Sequence, residues 1–354
     1  MSTRPDNAAI HTGVQSTDLE EQDVSVSDTS PRVSVVIPAY NTAKFIGATL
    51  NSVLAQTFSN YEILIINDGS PDTPQLERAL GPFRDRITYI RQENGGPARA
   101  RNRAIAQAKG RYIAFLDSDD MWMPDYLAKQ VKILDLDPSV TLVCADACLF
   151  GDSVLAGKTF FGLWPSSEPV TFEKLLTWKC AVLTMCVVAR RRSLLEAGLF
   201  DEEFLRSEDY HLWLRLAHRG ERFAYQHQVL GQHRMHSESL AADAKRLYES
   251  QIAVYQKLSK TLALSTEEQA LINQQITRTN ADLALQHGKS QILAGEYDDA
   301  VKALGIANDY YKSLKLSLVL FGLRLAPKLV RYIYDMRRRY PGHDFSAAIR
   351  MLQF

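Results

Sequence analysis

The chain has 354 residues, enough for one large or two ordinary domains, and its 41 Lys+Arg balance 41 Asp+Glu. That balance removes any general electrostatic argument for nucleic-acid binding. No basic-then-apolar leader and no run of about 18 apolar residues is present, and Cys144, Cys148, Cys180 and Cys186 form neither a Cys-x-x-Cys pair nor a disulfide framework. The expectation is a cytosolic, non-secreted protein with reduced thiols.

Residues 1–30 carry six acids against Arg4, with few apolar positions and no periodicity, and read as a disordered arm. From Arg32 strand and helix patterns alternate. Val33–Ile37 is a strand stopped by Pro38, which supplies no ladder donor. Phe45, Ile46, Leu50, Val53 and Leu54 give helical spacing over 43–57. Tyr61–Ile66 is a second strand, ending at the Asn67-Asp68-Gly69-Ser70 turn. A helix near 73–80 and a strand near 86–90 follow, and Gly95-Gly96-Pro97 then leads into a helix over 97–108. Tyr112–Leu116, bounded by Gly110 and an acidic cluster, reads as a strand buried on both faces. These β–α alternations predict a doubly wound, mostly parallel sheet. Its right-handed crossovers bring the loops at 38–41, 67–70, 91–96 and 117–120 to one edge.

Beyond Pro124 the pattern predicts a helix over 125–136, a strand over 140–146 and a loop-rich stretch with Gly151, Gly157, Gly162, Pro165 and Pro169. A strand over 181–189 and an amphipathic helix over 208–219 come next, with Trp213 and Leu216 as core. From about 239 the composition turns helical: 239–262, 266–293, 296–312 and 314–339. Ala284, Gly288, Gly295, Ala300 and Ala307 resemble one tetratricopeptide-like helix pair, which cannot bury its own face and reads as a packing appendage. Arg324, Lys328, Arg331, Asp335 and Arg338 recur at helical intervals, a mostly basic stripe opposite Leu325, Leu329, Val330 and Ile333, with Arg337-Arg338-Arg339 adding to it. One reading of 314–339 is peripheral contact with the inner face of a membrane; the other is a helix docked on the preceding domain with its basic face in water.

Three segments could carry chemistry. Asp117-Ser118-Asp119-Asp120 offers hard oxygen ligands suited to Mg²⁺ or Mn²⁺ held with a phosphate-bearing substrate, or else a solvated acidic turn capping the helix after Pro124. The glycines before the 97–108 helix offer N–H groups to an anion, or else form a plain turn with solvated arginines. Asn67-Asp68-Gly69 would satisfy an Asx-turn unaided. Gly157-Lys158-Thr159 looks like the end of a phosphate-binding loop, but Gly151 stands one position too early and Phe160, Gly162 and Pro165 deny the helix it requires.

Pro38-Ala39-Tyr40-Asn41 after the first strand, Asn67-Asp68-Gly69-Ser70 after the second, Arg91 to Asn102 around a helix start, and Leu116-Asp117-Ser118-Asp119-Asp120 after the fourth occur in an order that resembles the family-2 glycosyltransferases of the GT-A fold. The likeness covers roughly 32–236 and points to the bacterial polysaccharide type. It implies an α/β, Rossmann-like, mostly parallel doubly wound sheet with a C-terminal all-helical extension. The expected domains are the arm (1–30), a GT-A domain (31–238, with a nucleotide-binding half 31–122 and an acceptor-binding half 123–238) and a helical region (239–354). The implied reaction is an inverting sugar transfer from a nucleotide-diphosphosugar, with uracil the family's expected base, to a glycan or lipid-linked acceptor, assisted by Mg²⁺ or Mn²⁺.

Carried over by residue, the resemblance implies that Pro38, Ala39, Tyr40, Asn41 and Asp68 flank base and ribose, with Asp68 accepting from a base N–H. Asn94, Gly95, Gly96, Arg99 and Arg101 would border the diphosphate. Asp119 and His236 would ligate the metal, and Asp117 would touch ribose or reach the metal through water. Asp120 is left to cap the helix after Pro124. Asp209 matches the family's base position, with Glu208 beside it among the substrate-binding residues, although Ser207-Glu208-Asp209 is also what any helix N-terminus looks like. His233 stands where the family shows tyrosine, and with His236 it lacks the Cys or Glu spacing of a zinc site. No role falls to His211. Two other readings share the fold's logic: a non-catalytic nucleotide-sugar-binding scaffold, and a nucleotidylyltransferase, whose lysine-bearing glycine-rich loop Pro38–Asn41 does not provide.

Overall fold

A computed structural model describes residues 30–164, 166–236 and 243–339, so the arm expected over 1–30 lies, apart from Ser30, outside the described residues. Eight strands form one mixed sheet: β1 (Val33–Ala39), β2 (Tyr61–Asp68), β3 (Thr88–Gln92), β4 (Tyr112–Phe115), β5 (Met121–Trp122), β6 (Val140–Gly151), β7 (Val187–Arg190) and β8 (Arg222–Met235). Their order is β3-β2-β1-β4-β7-β6-β8-β5, with β7 and β5 antiparallel to their neighbours and the rest parallel. The sheet is thus mostly parallel, as expected, and β1, β2 and β4 are buried over nearly their whole length.

β1 continues through Pro38 instead of stopping there, and its pairing shows why. It pairs with β2 from Val33↔Tyr61 to Ala39↔Asn67, but with β4 only as far as Val36↔Phe115. The Val36 carbonyl accepts from the Leu116 N–H on the β4 side. Pro38, two residues on, faces the same side past the end of β4, where no ladder donor is needed.

The helices of the first half are α1 (Ile46–Leu54), α2 (Thr73–Leu80) and α3 (Gly96–Gln107), with a 3₁₀ segment over Gly81–Arg86 that pushes β3 two residues later than the apolar pattern predicts. α4 (Tyr126–Leu136) follows β5; the short α5 (Phe160–Leu163), α6 (Phe172–Leu176) and α7 (Arg191–Glu196) punctuate the loop-rich stretch before α8 (Glu208–His218). The strand expected over 181–189 begins only at Val187, because Thr184–Cys186 forms a 3₁₀ turn. β8, absent from the sequence reading, is the largest departure. Its pairing with β6 jumps from Ala145↔Gln226 to Asp146↔Val229, so a bulge breaks the period-2 alternation that would have announced it.

The C-terminal helices are α9 (Ala244–Thr261), α10 (Thr266–Ala294), α11 (Tyr297–Tyr311), α12 (Leu314–Leu325) and α13 (Pro327–Arg339). Pro327 divides the single helix expected over 314–339, since it lacks the N–H that would continue α12. A Ser265–Glu268 capping box opens α10. One apolar core runs from β1 to Ile272 on α10, and a second, of Leu285, Ile292, Ala300, Leu304, Ala307 and Leu323, lies among α10, α11 and α12. Gly288 allows the close approach of α11: a Cβ there would stand 2.5 Å from Leu304 Cγ.

Candidate active site

The carboxyl ends of β1, β2 and β4 place three loops side by side. Asn41 N–H donates to Ser70 Oγ (2.7 Å) and Ala43 N–H to Asp72 Oδ2 (2.8 Å), so the loop after β1 is latched to the loop after β2. The latch leaves a groove of about 380 Å³ lined by Asn41, Ala43, Lys44, Asp72 and Gln75. Tyr40, 51 % exposed, presents an aromatic ring at the end of β1, while Ala39 is buried beneath it.

Asp68 is committed differently from the expectation. Its Oδ1 accepts from Gln92 Nε2 (2.7 Å) and Gly95 N–H (2.9 Å), and its Oδ2 accepts from Gly96 N–H (2.8 Å). The N–H groups expected to meet a diphosphate therefore meet the chain's own carboxylate, an anion supplied from the neighbouring strand. Asn94 and Arg99 are exposed on this edge. Arg101 is not: it turns inward, because two positions along a helix are about 200° apart.

Loop 117–120 is fixed from below by Ser118, whose carbonyl accepts from Thr49 Oγ1 (3.0 Å) and whose hydroxyl donates to Thr42 Oγ1 (2.9 Å). Asp119 Oδ2 lies 2.8 Å from His236 Nε2, and the Asp119 carbonyl accepts from Arg234 Nε (2.8 Å). The Arg234 guanidinium sits between the rings of Phe45 and Phe150, 4.5 and 4.4 Å from their centroids. Asp120 does not cap α4. It is wholly buried, accepting from Arg234 N–H (2.7 Å) and pairing with His233 Nδ1 (3.0 Å). Burial pushes the Asp120 carboxyl up to about 6 against the pull of His233. The imidazole, which burial alone would lower, is held at about 9 by Asp120. His233 and His236 thus serve different carboxylates.

The pair Asp119–His236 fits a divalent ion. The two donor atoms are 2.8 Å apart and hydrogen-bonded to one another, and a carboxylate oxygen beside an imidazole nitrogen is a donor set that could hold Mg²⁺ or Mn²⁺. Among the described residues no group of three or more His, Cys, Asp or Glu is gathered for a metal. An ion on these two would take its remaining positions from water or from a bound phosphate, the usual habit of Mg²⁺.

α8 brings in the second acidic segment. Arg101 joins it to the first: its two terminal nitrogens reach Asp117 Oδ1 (2.8 Å) and Glu208 Oε1 (2.5 Å), over the ring of Phe200. Burial would lower this guanidinium, but Asp117 and Glu208 hold it above its ordinary value. Burial pushes the Glu208 carboxyl up to about 7, with Arg101 pulling it down and Asp209 pushing it up. Ser207 has a left-handed backbone (φ +58°) and makes no side-chain cap, so the segment is not a plain helix start. Asp209 accepts from Thr184 Oγ1 (2.6 Å) at Oδ2 and from Tyr210 N–H (2.7 Å) at Oδ1. Thr184 and Phe45 carry no sequence signal for these contacts, and Arg234 is marked only by its place beside His233 and His236. Each reaches the site from a segment distant along the chain.

Residues 34–199 match Glycosyl transferase family 2. Over 185 residues, 52 % of this chain and 69 % of the relative, the sequence is 34 % identical to the Escherichia coli protein named UDP-Glc:alpha-D-GlcNAc-diphosphoundecaprenol beta-1,3-glucosyltransferase WfgD. The structure of S. aureus TarS 1–349 in complex with UDP-GlcNAc matches with a TM-score of 0.59 at 19 % identity, covering 87 % of this chain and 92 % of that one. The mannosyltransferase PcManGT from Pyrobaculum calidifontis, solved with GDP-Man and Mn²⁺, matches with a TM-score of 0.56 at 20 % identity, covering 89 % and 88 %. At these identities the two structures show a shared fold. The chain spans about a third of the length of several longer curated relatives that it matches, 27 to 37 % of each.

Proposed function

This chain belongs to glycosyl transferase family 2, and from that premise we propose that it transfers a sugar, with inversion, from a uridine-diphosphosugar to a lipid-linked saccharide. The observation that carries the reading is the Arg101 bridge, which ties Asp117, beside the Asp119–His236 pair, to Glu208, beside Asp209. The acidic segment after β4 and the acidic segment that opens α8 are thereby held next to one another, which supports a metal at the first and a general base in the second. The donor and acceptor classes are supported by those named for the WfgD relative.

In this reading the exposed ring of Tyr40 offers a face to the nucleobase, with Pro38 and Asn41 beside base and ribose and Asp68 holding the Gly95-Gly96 turn behind them. Asn94 and Arg99 stand on the diphosphate side. The acceptor hydroxyl oxygen attacks the anomeric carbon in line, and the bond from that carbon to the diphosphate oxygen breaks with its electron pair. The hydroxyl proton passes to Asp209, whose orientation is set by Thr184. Asp119 and His236, with Asp117 at their side, would hold Mg²⁺ or Mn²⁺, which when bound neutralises the departing diphosphate.

A thermal-shift screen of UDP-, GDP- and TDP-sugars with and without Mn²⁺, followed by a transfer assay on Asp209→Asn, tests the reading. UDP-sugars with Mn²⁺ should raise the melting temperature of wild type and variant alike, while the variant loses transfer by about a hundredfold to ten-thousandfold. Stabilisation by none of the nucleotide sugars, or wild-type transfer by Asp209→Asn, would overturn it.

A further inference from the structure

α12 is apolar on two opposite sides. Leu316, Val319, Leu320 and Leu323 turn toward the second core, where Leu323 is 3 % exposed. Leu314, Leu318, Phe321 and Leu325, spaced four, three and four, lie about half a turn round the helix and are 61 to 76 % exposed. α13 repeats the arrangement. Val330 and Tyr334 pack inward, while Leu329, Tyr332, Ile333 and Met336 are 40 to 62 % exposed. Single exposed apolar residues need no explanation, but two consecutive helices that each present an unbroken apolar stripe do.

Charge narrows what could cover them. Residues 314–339 hold seven Lys or Arg against the single acid Asp335, a net +6 in a chain whose formal net charge is zero. Lys315 and Arg324 fall about a quarter turn to either side of the α12 stripe, and Lys328 about a quarter turn from that of α13. Thus the apolar face points outward together with Arg324, Lys328 and Arg331 of the basic stripe expected over 324–338, and cations stand along its borders. Arg331 also leans on the end of α10, its guanidinium 3.2 Å from where a Gly295 Cβ would stand. A second copy laid on this face would bring two such cationic segments together, which repulsion disfavours. Among the described residues no helix is long and apolar enough to cross a membrane.

We propose that α12 and α13 seat the protein on an anionic lipid surface, with the apolar stripes at the boundary of headgroups and acyl chains and the flanking cations on headgroup phosphates. This stands apart from the transfer reading, since none of these residues lies in the site described above.

The test is flotation of the full chain with phosphatidylglycerol-containing vesicles and with pure phosphatidylcholine vesicles, alongside sedimentation of the protein alone. Wild type should float with the anionic vesicles and lose that binding as salt rises. Leu318→Ser with Phe321→Ser should weaken flotation at least about tenfold, and Arg324→Gln with Lys328→Gln about fivefold for each cation removed, with melting temperatures unchanged because all four side chains are exposed. Wild type that stays at the bottom of the gradient overturns the proposal, as does undiminished flotation of the apolar variant. So does a vesicle-independent oligomer that the apolar variant dissolves, which would assign the face to a second copy. No arm of the experiment contains a donor sugar, so its failure is distinct from a failure of catalysis.

Discussion

Arg101 and His211 are buried for opposite electrostatic reasons. Arg101 is charged and answered by two carboxylates, and the guanidinium fork is suited to two partners at once. His211, 2 % exposed, has no hydrogen-bond partner on either ring nitrogen among the described residues; Asp201 stands 3.7 Å away. Burial lowers its pKa to about 4, with Arg215 and Lys257 pushing the same way and Asp201 opposing. The sign follows directly. The unfolded chain takes up this proton near pH 6.5 and the folded chain only near 4, so the stability contributed by neutral His211 is complete above 6.5 and is lost as the pH falls to 4, on the order of 3 kcal/mol in all. Glu208, pushed up to about 7, works the other way across roughly pH 4.5 to 7, so the wild-type profile alone does not isolate His211. Urea midpoints of wild type and His211→Gln between pH 7 and 4.5 do: the wild type should lose more stability than the variant. Parallel profiles would remove His211 from the account.

Among the elements, β8 decides the most. It runs beside β6 and delivers His233, Arg234 and His236 to loop 117–120, which is how the acidic edge acquires its imidazole. Gly231 makes the packing possible: a Cβ there would stand 2.5 Å from Cys186 Sγ and 3.2 Å from Ala147 Cβ. Cys186 belongs to the 3₁₀ turn that carries Thr184, so crowding at Gly231 reaches the Asp209 contact as well. Gly231→Ala should cost about 1–3 kcal/mol in urea denaturation through overpacking. A neutral substitution would show that the turn yields freely. The break at Pro327 is the second element-level lesson: the helical periodicity of 314–339 continues through it, while the backbone does not.

The described residues between Pro31 and Arg339 are organised around two apolar cores, with the 29-residue α10 belonging to both. Leu304 fills the second core against Gly288 and is 1 % exposed. Leu304→Ala should remove about 2–5 kcal/mol from that core. In native-state hydrogen exchange the amides of α11, α12 and α13 should lose protection while β1, β2 and β4 keep theirs. Equal loss in the strands would show one cooperative unit in place of two.

What the amino-acid sequence determined by itself was the sheet edge and its chemistry. Continuous apolar runs such as Val33–Ile37 and Tyr112–Leu116 have few folded alternatives, and the polar residues that interrupt them must lie at strand ends. The acids at Asp117 and Asp119 could therefore be assigned to one edge before any coordinates, whereas Glu208 and Asp209 were brought there only by the family resemblance. Which of them would meet was a tertiary decision. Arg101 turning inward, Asp120 taking His233, Asp68 closing on Gly95 and Gly96, and Thr184 reaching Asp209 all depend on partners 15 to 120 residues away, roughly, along the chain. Local periodicity reports that a face is buried or a turn is sharp. It carries no information about what arrives from elsewhere to bury it or to pair with it, and β8, broken by its bulge, arrived without announcing itself at all.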